Sequence, residues 1–160
     1  DAYSIPQEKM IDLQDKIRIL SGLYGILKPL DLIQPYRLEM GTKLKLGRKE
    51  NLYQFWKEDV TKSLNEELEG APLINLASAE YFKVIDQKKL KSEVITPEFK
   101  DFHQGKLKMI GFFAKKARGA MARFVVEKGI DNPQELKTFD WEGYSFDVNL
   151  SSANKWVFTR

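Results

Sequence analysis

The sequence predicts an α+β fold: a mixed sheet with packed helices, part of a larger single-domain fold. Three observations predict it. Of 160 residues, 42% are hydrophobic and 31% charged, a globular balance that excludes wholesale disorder. Residues 51–68 and 114–128 repeat apolar side chains at helical spacing, whereas 93–102, 106–113, 143–148 and 155–159 read as strands. These segments follow one another without a regular βαβ rhythm. No internal repeat, low-complexity tract or Ser/Gly linker interrupts the chain, so residues 1–160 are read as a single domain. The chain opens with Asp1 rather than methionine, so it is expected to be a fragment of a longer protein.

Ser4-Ile5-Pro6-Gln7 fits a capping box, with Ser4 as N-cap. Met10, Leu13, Ile17 and Leu20 then follow at helical spacing, and Ser21-Gly22 ends or bends that helix. Gly22 to Pro29 is apolar and punctuated, a short buried strand or a tight turn. Pro29 and Pro35 bracket Leu30 to Gln34, an irregular loop expected to be a core plug or a site wall. Arg37 to Met40 alternates like a strand. Asn51 caps a helix whose stripe is Leu52, Phe55, Trp56, Val60, Leu64 and Leu68, ended by Gly70 and Pro72.

Leu73 to Ala77 reads as a buried strand and Ser78 as the N-cap of a helical turn. His103-Gln104-Gly105 joins two strands as a hairpin loop. Ala114 to Lys128 is the clearest helix, stopped by Gly129. Pro133 to Leu136 reads as a short helix before the last two strands. Trp56, Trp141, Trp156 and the ten phenylalanines read as core.

Composition excludes several chemistries. With no cysteine there is no disulfide, thiolate metal site or cysteine nucleophile, and one histidine cannot build a histidine-rich metal site. No metal site or cofactor is expected. No apolar run is long enough to span a membrane, and no signal peptide is visible. No Walker loop, dinucleotide fingerprint or EF-hand pattern is present. Ser78 superficially suggests a nucleophile, but it lacks a Gly-x-Ser-x-Gly frame, and His103 reads as a solvated loop residue.

Charge is distributed unevenly. The net charge of +3 hides a segment from Lys83 to Arg123 with eleven bases and four acids, +7, which leaves −4 for the rest. Such asymmetry points to an anionic partner such as nucleic acid. At about 100° per residue, Phe113, Ala117, Ala120, Met121 and Phe124 share one side of the 114–128 helix. Lys115, Lys116, Arg118 and Arg123 spread over the other, around Gly119. That face either contacts phosphate or is an ordinary solvated face, with Gly119 packed on a neighbour. Lys106 and Lys108 alternate on the preceding strand and extend the patch. Ser21 to Gly25 has two glycines three apart, as in helix-hairpin-helix DNA binders, although Pro29 stands where a second helix would run. A tight bend is the preferred reading of that stretch. A second candidate is a pocket for a small anionic or phosphorylated substrate, lined by Gly22, Tyr24, Gly25, Tyr36, Arg37, Glu39, Ser78 and Tyr81.

Five blocks carry a family resemblance. Ser21 to Gly41 (SGLYGILKPLDLIQPYRLEMG) closely resembles a signature of the YaaA-like peroxide-stress family. Asn51 to Trp56, Asn75 to Phe82, Ala114 to Phe124 and Gly143 to Phe146 resemble four more, in the family's order. The resemblance implies the C-terminal two-thirds of a cytoplasmic bacterial protein with an unusual α+β fold. Its implied role is peroxide survival, with less unincorporated iron and less oxidative damage. It also implies nonspecific DNA binding through a basic cleft. It supplies no catalytic residue and no protein partner. The expected DNA-binding residues are Lys106, Lys108, Lys115, Lys116, Arg118, Gly119 and Arg123.

Overall fold

In the computed structural model, which describes residues 2–160, the fold is α+β with a mixed sheet and packed helices. In chain order the elements are α1 (Met10–Lys16), β1 (Ile19–Ser21), β2 (Gly25–Leu27), α2 (Leu52–Leu68), β3 (Leu73–Ile74), α3 (Ala79–Phe82), β4 (Val94–His103), β5 (Lys106–Lys108), α4 (Gly111–Lys128), β6 (Ser145–Asp147) and β7 (Lys155–Thr159). They divide into two compact units, one of residues 2–13, 72–76 and 94–160, the other of residues 14–71 and 77–93.

The first unit is built on a five-stranded sheet in the order β3-β4-β7-β6, with β5 paired to β4 outside that path. β4 runs parallel to β3 and β7, whereas β5 pairs antiparallel to β4 and β6 to β7. Along β4, Ile95, Pro97, Phe99 and Asp101 are buried and alternate with half-buried residues, the period of a strand covered on one face. Pro97 is tolerated inside this strand for a positional reason. Thr96 and Phe102 send their N–H groups to the β7 side, so the missing N–H of Pro97 falls on the opposite edge. There β3 pairs only with residues 94–95 and β5 only with 101–103.

Buried Phe99, Phe139, Tyr144, Trp156 and Phe158 form the centre of this unit, with Ala114, Ala117 and Met121 of α4 against them. Phe99 meets Phe139, Tyr144 and Phe158 at ring-centroid distances of 5.8, 5.3 and 5.4 Å. Each such aromatic pair adds about 0.5–1.5 kcal/mol beyond its buried area. Helix α4 ends at Gly129, whose φ of 63° permits the left-handed cap.

In the second unit, Asn51 Oδ1 accepts the Gln54 N–H and starts α2, a cap worth about 1 kcal/mol. Leu52, Val60 and Leu64 are its buried stripe. β1 and β2 form a hairpin across Gly22-Leu23-Tyr24. Trp56 of α2 donates its indole N–H to the Gly22 carbonyl at 2.9 Å. Met40, Val84 and Ile85 are also buried.

Several expectations are corrected. Ser4 caps no helix, because 3-10 turns at Ala2–Ser4 and Gln7–Lys9 precede α1 and Pro6 occupies the cap position. The first helix ends at Lys16, and Leu20 lies in β1, where strand pairing overrides helical spacing. Arg37 to Met40 forms no strand: Leu38 is half-buried and Met40 buried in alternation, but no strand pairs with the segment. Leu30, Leu32 and Ile33 are exposed, so their loop is no core plug. It satisfies its backbone locally instead, through Gln14, Asp31 and Tyr24. The strand after the hairpin stops at Lys108, and residues 111–113 open α4. Phe55, Phe102 and Phe112 are exposed rather than core.

Candidate functional site

The basic candidate lies entirely in the first unit. Helical spacing puts Phe112, Lys115, Lys116, Gly119 and Arg123 at steps of three or four along one stripe of α4, exposed except at half-buried Arg123. The opposite positions Ala114, Ala117 and Met121 are buried, which fixes that stripe outward. A Cβ built on Gly119 would meet no atom within 4 Å. Gly119 therefore packs on nothing, and the packing explanation for this glycine is corrected. It leaves a gap in the middle of a basic face.

Lys106 and Lys108 are exposed on β5, opposite His103 and Asp101 of β4. The hairpin between them turns through Gln104 and Gly105, with φ of 50° and 74°. Two successive positive φ values suit the twist of the flanking strands. Among the described residues, no carboxylate pairs with Lys106, Lys108, Lys115 or Lys116. Lys116 Nζ sits 4.8 Å from the Phe112 ring centroid. The two arginines differ. Arg123 binds Glu127 at 2.6 Å and Ser4 at 2.7 Å, so its charge is spent internally. Arg118 is half-buried and already engaged, and burial lowers the pKa of its guanidinium.

The pocket candidate lies entirely in the second unit. Ser21 Oγ is buried, accepts the N–H groups of Leu23 and Tyr24 at 3.2 and 3.0 Å, and lies 2.6 Å from Tyr36 Oη. Either hydroxyl can donate in the bond between Ser21 and Tyr36. Tyr24 Oη accepts the Gln34 N–H and its ring packs edge-on to Tyr36 at 5.5 Å. Gly22 and Gly25 are both required. A Cβ on Gly22 would stand 2.3 Å from the Leu38 carbonyl oxygen, and one on Gly25 2.7 Å from the Trp56 ring. Burial, Glu80, Tyr36 and Glu39 raise the Tyr81 pKa, against a smaller lowering by the Met40 backbone. Arg37 and Glu39 are exposed, and Ser78 accepts the Tyr81 N–H as an N-cap. The bend carrying Ser21 to Gly25 is a β-hairpin and not a helix-hairpin-helix.

A profile of the family described as peroxide stress protein YaaA matches residues 1–150. The chain belongs to that family. A UPF0246 protein of Flavobacterium johnsoniae is 62% identical over 161 residues, covering all of this chain and 64% of its own length. UPF0246 proteins of Flavobacterium psychrophilum and Hahella chejuensis are 62% and 53% identical with the same coverage. The chain thus spans about 64% of the length of these curated relatives. The blocks that carry the YaaA resemblance fall on the β1–β2 hairpin with its loop, the start of α2, the β3–α3 connection, α4 and the turn into β6.

One constellation escaped the sequence reading. Buried Asp101 accepts the Tyr144 hydroxyl at 3.0 Å and binds Arg160 at 2.6 Å. Arg160 also reaches Glu142 and lies over the Phe113 and Tyr144 rings. Burial, with the Asp101 bond and charge, pushes the Tyr144 pKa up to about 12. Alternation along β4 placed Asp101 on the inner face, and an acid there was the available signal. Among the described residues, no group of three or more His, Cys, Asp or Glu could hold a metal ion, and no helix is long and apolar enough to cross a membrane.

Proposed function

We propose that this chain serves peroxide defence by binding DNA without sequence preference, through phosphate contacts from Lys106, Lys108, Lys115 and Lys116. The observation that carries this reading is that, among the described residues, no carboxylate neutralises these four cations. An unpaired surface lysine keeps its full attraction for phosphate. Gly119 lets a sugar-phosphate backbone come close, while Arg118 and Arg123 support the helix from within the protein. The reading gives the peroxide link a physical form. Each phosphate neutralised by a lysine releases condensed cations from the duplex. Ferrous ions held at those phosphates would leave with them, which lowers iron-driven oxidation at the DNA itself. A chain with one histidine and no cysteine is poorly suited to chelating iron directly.

Titration into a fluorescent duplex at two salt concentrations tests this. Affinity on the order of micromolar is expected, falling steeply with salt. Glutamine at Lys106, Lys108, Lys115 and Lys116 should flatten the log–log salt slope by about 0.9 per lysine. An unchanged slope in that quadruple variant sinks the surface.

A second reading has one specific observation behind it: the Tyr36 hydroxyl, bonded to Ser21, is followed in the chain by exposed Arg37, which has no ion pair among the described residues. Together they suit a small anionic or phosphorylated ligand, bound or turned over. Loss of inorganic phosphate binding in both Tyr36→Phe and Arg37→Gln supports it, and no phosphate binding by the parent chain removes it.

A further inference from the structure

The α4 stripe begins with a feature that phosphate contacts do not need. Phe112 is 64% exposed on the first turn of an 18-residue helix, in line with Lys115, Lys116 and Gly119. The buried stripe of the same helix has no use for this ring. Phe102, opposite Leu107 on the β4–β5 ribbon, is a second exposed ring at 67%. Exposed aromatic rings interleaved with unpaired lysines suit bases that have left their stack. A ring offers every base a π-face, and the ammonium groups follow the phosphates.

We propose that the start of α4 binds single-stranded nucleic acid, with Phe112 as the platform for one unstacked base and Lys115, Lys116 and Gly119 along the adjoining backbone. This rests on the phosphate-binding reading of the same surface and adds the strand form that it prefers. In the free protein, Lys116 Nζ lies 4.8 Å from the centre of the Phe112 ring. An arriving base takes that place on the ring. The ammonium then turns to the phosphate beside it, exchanging a cation–π contact for an ion pair. Gly119 lies two turns further along the stripe, where the open backbone admits the sugar of the following nucleotides. Phe102 is the candidate platform for a longer strand. Charge complementarity names the occupant: a protein segment would have to bring acids to four lysines, whereas a nucleic acid carries one negative charge per nucleotide.

The test titrates the 160-residue chain and its variants with a fluorescent single strand of about 16 nucleotides and a duplex of the same length. Phe112→Leu keeps an apolar residue and removes the stacking ring. The expected result is a loss of about ten-fold for the single strand, with duplex affinity and both salt slopes unchanged. Lys115→Gln with Lys116→Gln should weaken both ligands and flatten both slopes. Circular dichroism of each variant checks that the helix persists. Equal weakening of strand and duplex by Phe112→Leu overturns the single-strand preference and makes the ring a duplex contact. No effect of Phe112→Leu on either ligand, while the lysine variant weakens both, overturns the stacking role and leaves the phosphate reading intact. No binding of either ligand by the parent chain overturns both.

Discussion

Gly119 lets stability and binding be separated in one position. It is the ninth of 18 residues in α4, and a Cβ there would meet nothing within 4 Å. Glycine in an exposed helix interior costs about 0.8–1.0 kcal/mol relative to alanine, because its unfolded backbone has more freedom to lose. With no steric penalty to subtract, Gly119→Ala should stabilise the unit that contains α4 by about that amount. For a chain of this size, 1 kcal/mol raises the melting temperature by about 2–4 °C. Gly119→Gln should recover about half of the gain while filling the gap between the lysines. Both are measured by thermal unfolding followed at 222 nm in the helix signal, alongside nucleic-acid titration. Affinity should fall, by about five-fold for the glutamine, which corresponds to one lost contact of about 1 kcal/mol. A destabilised Gly119→Ala refutes the open geometry. Stabilised variants with unchanged affinity refute the idea that the glycine gap is part of a binding face.

Gly25→Ala meets the Trp56 ring at a φ of 76°, and Gly22→Ala meets a backbone carbonyl, so each should cost about 1–3 kcal/mol in urea unfolding. Asp101→Asn weakens the bonds to Arg160 and Tyr144 and should cost about 1.5–3 kcal/mol, with Tyr144→Phe costing less. The Tyr144 pKa is raised, so its contribution is complete below pH 10 and is lost as pH rises towards about 12. The difference in stability between parent and Tyr144→Phe should shrink over that interval and stay flat below it. Burial pushes the Glu67 pKa up, but the bond and charge of Arg18 outweigh it and leave it lowered. Its contribution is therefore present above the ordinary carboxylate range and lost on acidification through the lowered value. Arg18→Gln should remove part of the acid sensitivity measured by urea midpoints at successive pH values.

Sequence reasoning reached the elements whose signals are local. Asn51 and Ser78 are N-caps, Gly129 ends α4, and Gln104-Gly105 turns the hairpin because each signal acts within four residues. It failed where partners distant in sequence decide. Leu20 carries helical spacing, yet pairing of Ile19–Ser21 with Gly25–Leu27 claims it for a strand. Phe102 and Phe112 have the composition of core residues, and only their neighbours reveal that they face outward. At the basic surface, the lysines were legible one by one. That Arg123 is neutralised by Glu127 and bonded to Ser4 depended in part on a residue 119 positions away. The Asp101, Tyr144 and Arg160 cluster joins three segments, so no spacing rule could assemble it.

The parallel pairing of β4 with β7 has a consequence for synthesis. β7 lies between β4 and β6 in the sheet, and its Trp156, Val157 and Phe158 are all buried. Residues 96–100 must wait for residues 155–159 before they gain that partner. On the ribosome, the nascent chain therefore presents β4 with one long side open until β7 leaves the exit tunnel. A chain released early, or stalled before residue 155, would expose that side to other nascent chains. Holdase chaperones would be expected to engage it during that window, and a slow stretch of codons placed just before β7 would lengthen their residence.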